Sequence, residues 1–139
     1  MRLILQLVLP ADARLLPRTR RAIAEYLAAI GASAEHVDDV ILALDEACAN
    51  VIRHAFPGQD DATFRLVAEI TDDEVNLAVE DDGIGFKPDE IDLRPDAEAT
   101  SGRGLHIIRE LMTSVEVRSP TERGVGTRLC MHKQLRETV

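Results

Sequence analysis

No tryptophan, one tyrosine and three phenylalanines occur in the 139 residues, so aliphatic side chains must fill the core and few flat rings are available to stack single-stranded nucleic acid. Lysine is nearly as scarce, with Lys87 and Lys133 standing beside 14 arginines. The two cysteines, Cys48 and Cys130, do not stand at disulfide-framework spacing. Both sit in apolar runs, where they read as small buried hydrophobes in a reducing compartment and not as metal ligands. No apolar run reaches the roughly 18 residues that a membrane-crossing helix needs. The opening MRLILQLVLP lacks a small-residue cleavage site and is followed at once by a charged segment. It therefore reads as a first strand and not as an export signal, and the chain is expected in the cytoplasm. No serine stands in a nucleophile elbow, and no lysine follows a glycine as a Walker loop requires. The third glycine and the βαβ setting of a Rossmann fingerprint are missing too. His36, His54, His106 and His132 share no metal-ligand spacing.

The residues present suit one domain over 1–139, with 45% hydrophobic and 29% charged side chains and hence enough apolar surface for a sizeable core. A net charge of −9 opposes the phosphate attraction that dominates nucleic-acid affinity, so direct DNA or RNA binding is not expected. Arg14, Arg18, Arg20 and Arg21 bunch near the start. They read either as solvated surface or as a local patch that steers an acidic partner.

After the strand RLILQLVL, the stretch from Asp12 to Ile30 predicts a helix stopped by Gly31, with Pro17 either in its first turn or kinking it. Ser33 predicts the cap of a second helix running to about Ala55. ATFRLVAEI and EVNLAVE alternate with period two and predict an antiparallel hairpin that buries Phe64, Leu66, Ala68, Ile70, Val75, Leu77 and Val79. A stretch of about two dozen residues with little periodicity follows, and its length is that of a functional cover; we place a lid at about 84–101. GLHIIRELM then restarts helical spacing, and SVEVRS and GVGTRLCMH predict two last strands joined by PTERG. The order fits an α+β fold with helices on one face of a mixed, mostly antiparallel sheet, whose other face or first-strand edge is left for a partner.

Four constellations stand out. In ALDEACANVIRHAF, at 100° per residue, Val37, Val40, Ile41, Leu44, Cys48, Val51, Ile52 and Ala55 share one half of the second helix, while Asp39, Glu46, Asn50 and Arg53 share the other. Leu42 is an apolar exception on the polar side. The stripe reads as a solvated Glu–Arg face, or as a carboxylate and a carboxamide that serve a metal-bound phosphate chain, because asparagine is a poor choice for a merely solvated helix position. Asp81, Gly83 and Gly85 form D-x-G-x-G at a strand end, which suits either a plain turn or the edge and face of a flat base such as adenine. Gly102, Arg103 and Gly104 introduce a helix, where unpaired amides and a guanidinium suit phosphate. Gly124, Gly126 and Thr127 open the last strand, where threonine serves as a strand former or as a hydrogen-bonding group for adenine.

In this order and spacing EACAN (Glu46 to Asn50), DDGIG (Asp81 to Gly85) and SGRGL (Ser101 to Leu105), followed by GT (Gly126, Thr127), resemble the N, G1 and G2 boxes and the later GT of the GHKL, or Bergerat-fold, ATP-binding domain. Over essentially all 139 residues the chain is similar to the anti-sigma factor serine/threonine kinases of bacterial partner-switching systems. The resemblance implies a two-layer α/β sandwich that takes ATP and Mg²⁺. Glu46 would be the general base and Asn50 the Mg²⁺ ligand, with Arg53 among the nucleotide contacts. Asp81 would read adenine with Thr127 nearby, while Gly83, Gly85, Gly102 and Gly104 would enclose the nucleotide. Arg103 and Leu105 would lie at its phosphate end. The lid has one lysine, Lys87, so Arg103 or Arg94 would have to meet the γ-phosphate. The implied substrate is a serine of an anti-anti-sigma (STAS) protein and the implied alternate partner a sigma factor, with a homodimer formed through the first strand and helix. Two other readings stand beside this one: a nucleotide-binding switch without catalysis, which an intact Glu46 argues against, and a histidine-kinase catalytic domain, which the missing phospho-acceptor hairpin argues against.

Overall fold

A computed structural model describes residues 1–54, 62–82, 100–118 and 126–136, with only the backbone described at 54 and 100–103. Its elements follow the predicted order: β1 (Arg2–Pro10), α1 (Leu16–Ala29), α2 (Ala34–His54), β2 (Thr63–Thr71), β3 (Glu74–Asp81), α3 (Thr100–Leu111), β4 (Ser114–Arg118) and β5 (Thr127–Gln134). A 3₁₀ turn at Ala13–Leu15 precedes α1 and is capped by Asp12, whose carboxylate accepts from the Arg14 amide at 2.9 Å. Pro17 falls in the first turn of α1, where a missing amide costs nothing, so no kink results. Gly31, at φ +85°, ends the helix as predicted. Ser33 caps α2, its hydroxyl accepting from the His36 amide at 3.1 Å.

The strands form one sheet in the order β1-β2-β3-β5-β4. All four pairings are antiparallel, so the parallel contact that a mixed sheet allows does not occur among the described strands. Period-two alternation places Phe64, Leu66, Ala68 and Ile70 of β2, and Val75, Leu77 and Val79 of β3, on the buried face. They pack there against Ile23 and Leu27 of α1, Val40, Leu44 and Cys48 of α2, and Leu105 and Ile108 of α3. The helices thus cover one face of the sheet, as the element order predicts.

The opposite face carries charge. Glu80 bridges two neighbouring strands, accepting from Arg65 at 2.9 Å and from Arg128 at 2.8 Å. Burial acts to raise the Glu80 pKa, but the hydrogen bonds from Arg128 and Arg65 outweigh it and hold the carboxyl below its ordinary value. Cys130 lies half-buried on this face, opposite Glu116 of β4. The expectation of two core cysteines therefore holds for Cys48 alone, because the strand period turns Cys130 outward while Leu129 and Met131 turn in. Cys48 is buried, and desolvation first, with the nearby Asp45 charge second, pushes its thiol up to about 12.

Lys133, in contrast, reaches inward at the far end of β5. Its ammonium meets Asp39 of α2 at 3.1 Å and the Leu111 carbonyl at the end of α3. It ties two helices to the strand beneath them.

Candidate nucleotide site

The polar stripe of α2 is built as its spacing predicts, with Glu46 and Asn50 half-buried one turn apart and Arg53 exposed beyond them. An Arg53 guanidinium nitrogen donates to Asn50 Oδ1 at 3.1 Å. The opposite wall is the start of α3. A Cβ placed on Gly104 would stand 3.0 Å from Asn50 Nδ2, 3.1 Å from Asn50 Oδ1 and 3.3 Å from Glu46 Oε2. The glycine is therefore what lets the two helices close at this point without displacing the carboxylate and the carboxamide.

One boundary differs from expectation. Helix α3 begins at Thr100, so Ser101 belongs to the helix and not to the lid, and Gly102 and Gly104 lie within its first turns instead of before them. The unpaired amides of a helix start belong to its first four residues, which places them here at 100–103. Leu105 is in the core, so its side chain packs beneath the helix.

A second cluster forms where β3 and β5 end. Asp81 and Thr127 are direct partners in the ladder and are 4% and 6% exposed. Strand alternation turns both toward the helical layer, while Glu80 and Arg128 turn to the charged face. Just before Thr127, Gly126 takes φ +75°, and a Cβ there would lie 1.8 Å from the Asp81 carbonyl oxygen. This close approach is the one feature of the cluster without a sequence signal, because a glycine ahead of a strand does not reveal which backbone crosses it.

Gly83, Gly85, Lys87 and Arg94, most of the lid at 84–99 and the PTERG turn lie outside the described residues, as does the Arg103 side chain. Among the described residues no group of three or more His, Cys, Asp or Glu could hold a metal, and no helix is long and apolar enough to cross a membrane. The Asn50 amide oxygen suits Mg²⁺, which takes few donors from a protein and fills its octahedron with phosphate oxygens and water. The buried Asp81 carboxylate, with neighbouring backbone held close by Gly126, suits an exocyclic amine.

The chain resembles known proteins along most of its length. Residues 9–133 match the histidine kinase-like ATPase domain. The anti-sigma F factor of Clostridium beijerinckii is 34% identical over 121 residues, covering 83% of this chain and 82% of the relative. That of Clostridium novyi is 32% identical over 123 residues, covering 84% of each. Among solved structures, the RsbU and RsbW domains of a Mycobacterium tuberculosis protein align over 96% of this chain but only 32% of theirs, with a TM-score of 0.67 and 19% identity. The histidine kinase domain of the Erythrobacter litoralis blue-light activated histidine kinase aligns over 91% of this chain and 61% of its own, with a TM-score of 0.57 and 21% identity. These structural likenesses carry the fold alone. The family match and the sequence relatives carry more: the chain belongs to the histidine kinase-like ATPase domain family, in the branch that contains the anti-sigma F factors.

Proposed function

We propose that the chain is an ATP-dependent protein-serine kinase of the cytoplasm, working as an anti-sigma factor that phosphorylates a serine of a STAS protein and alternately captures a sigma factor. The supporting observation is the closure of Glu46 and Asn50 of α2 against Gly104 of α3. The carboxylate favours phosphoryl transfer over simple nucleotide capture, because binding alone needs no base. Glu46 takes up the proton of the acceptor hydroxyl as it attacks. Asn50 would hold Mg²⁺ through Oδ1, the atom that Arg53 engages here, and the ion would supply neutralisation of the phosphate charge. Asp81 accepts from the adenine amine, with Thr127 beside it, and Gly83 and Gly85 let the base lie against the backbone. Gly102 and Arg103 receive the phosphates at the start of α3.

The acidic partner meets α1. Arg14 is engaged by Asp12 and Arg20 by Asp45, while Arg18 and Arg21 are exposed and make no ion pair among the described residues. Two copies join through β1 and α1, where Ile4, Val8 and Tyr26 expose apolar surface.

The test is label transfer from γ-labelled ATP with Mg²⁺ to a panel of STAS proteins. The wild type should label one of them, and Glu46→Gln should lower transfer at least a hundredfold while ADP binding persists. Undiminished transfer by Glu46→Gln would remove Glu46 as the base, and absence of labelling by the wild type would leave the non-catalytic switch as the better reading.

A further inference from the structure

Of the large apolar side chains in α2, Leu42 alone is exposed, at 46%, although α2 has a whole buried half on which a leucine could sit. Its position is one turn before Glu46. Four residues along a helix advance about 6 Å and turn about 40°, so Leu42 and Glu46 lie side by side on the same stripe. The Glu46 carboxylate faces α3 through Oε2, which puts the nucleotide on that flank. A macromolecular hydroxyl must then reach Glu46 across the other flank, which carries Leu42 and Ala49 and is bordered by Asp45. Asp45 is itself held at 3.1 Å by Arg20 of α1, so the border is fixed in place.

Resting on the kinase reading above, we infer that Leu42 is a specificity-determining contact for the protein substrate: it receives a large apolar side chain that lies about 6 Å from the acceptor hydroxyl. In an extended segment that spacing is two residues, because side chains on one side of a strand repeat about every 6.6 Å. The favoured acceptor is therefore a serine with an aliphatic or aromatic residue two positions away, presented on the surface of the substrate protein. A polar residue at either place leaves the leucine facing water.

The experiment compares the wild type, Leu42→Ser and Leu42→Met on a STAS protein that the wild type phosphorylates. Leu42→Ser should raise KM for that protein on the order of tenfold, the affinity carried by about half a leucine's apolar area and its contact, with kcat within about twofold. ADP affinity and Tm should stay at wild-type values, and Leu42→Met, which restores apolar volume, should restore KM. An unchanged KM in Leu42→Ser, with the wild type active, overturns the inference and leaves the kinase reading standing. A KM rise that comes with an equal loss of ADP affinity also overturns it, since Leu42 would then act through the fold. A wild type that labels no STAS protein overturns the kinase reading itself, and the inference falls with it.

Discussion

At the scale of single residues, three glycines show how the same substitution has three outcomes. Gly31 needs only its left-handed φ of +85°, since the nearest atom to an added Cβ is an Arg136 nitrogen 4.0 Å away. Gly31→Ala should cost about 1 kcal/mol. Gly126 combines φ +75° with a carbonyl oxygen 1.8 Å from the Cβ position, so Gly126→Ala must separate β5 from β3 and should cost about 3 kcal/mol or more. Gly104 is helical, and alanine there gains up to about 1 kcal/mol of helix propensity, offset by crowding against Asn50 and Glu46. Gly104→Ala should therefore leave stability within about 1 kcal/mol of wild type and, for the kinase proposed above, lower phosphoryl transfer on the order of tenfold, because the two side chains are pushed off their geometry. Urea titration and transfer kinetics on the three variants check this order. A Gly104→Ala enzyme with full activity would show that the tight approach has no bearing on the chemistry.

At the scale of elements, the site depends on how α3 is seated against α2, and Lys133 sets one end of that seat. Its ammonium lies between Asp39 and the α3 terminal carbonyl at Leu111, with its side chain only 14% exposed. Replacement by methionine keeps the stem and removes the charge, leaving a shielded carboxylate and a helix-end carbonyl without their donor. Lys133→Met should lower stability by about 1–3 kcal/mol, read by urea unfolding, whereas breaking the more exposed Arg20–Asp45 pair with Asp45→Asn should cost no more than about 1 kcal/mol. Equal losses in the two variants would refute the assignment of Lys133 as the stronger tie. None of this was visible in the sequence, where Lys133 merely follows the strand predicted over GVGTRLCMH, which the structure extends to Gln134. What the sequence did reveal follows from local periodicity: the order of elements, the inward set of β2 and β3, and the polar stripe of α2 all rest on repeats of 2 or 3.6 residues. The Pro17 ambiguity, the early start of α3 and the outward turn of Cys130 rest on register and end effects, which periodicity leaves open. The Glu46–Asn50 pair was legible as a pattern. Its closure against Gly104 was not, because contacts across 54 residues of chain are settled by packing.

At the scale of the whole molecule, the helices protect one sheet face, and among the described residues no element covers the other. On β1, an edge strand, Ile4 and Val8 are 52% and 70% exposed, and their period-two spacing puts them on that open face with Val67 of β2. Below Val67 a shallow groove of about 580 Å³ runs toward β4, lined by Ala78, Cys130 and Glu116. An apolar edge of this kind invites pairing unless a partner covers it. For the proposed dimer through β1, Ile4→Lys with Val8→Lys should give a folded monomer, since both side chains face water in the single chain, with Tm lowered only by the lost association. Light scattering coupled to size exclusion decides this, and a double variant that remains dimeric would move the interface elsewhere.

The pairing of Asp81 with Thr127 has a consequence for the order in which the protein is made. Residue 81 leaves the ribosome dozens of residues ahead of residue 127, and until the last strand arrives β3 is paired on one side only. Any ligand that needs both side chains must wait until residue 127 has been made, so a nascent chain that has reached only β3 cannot use such a ligand to guide its own folding.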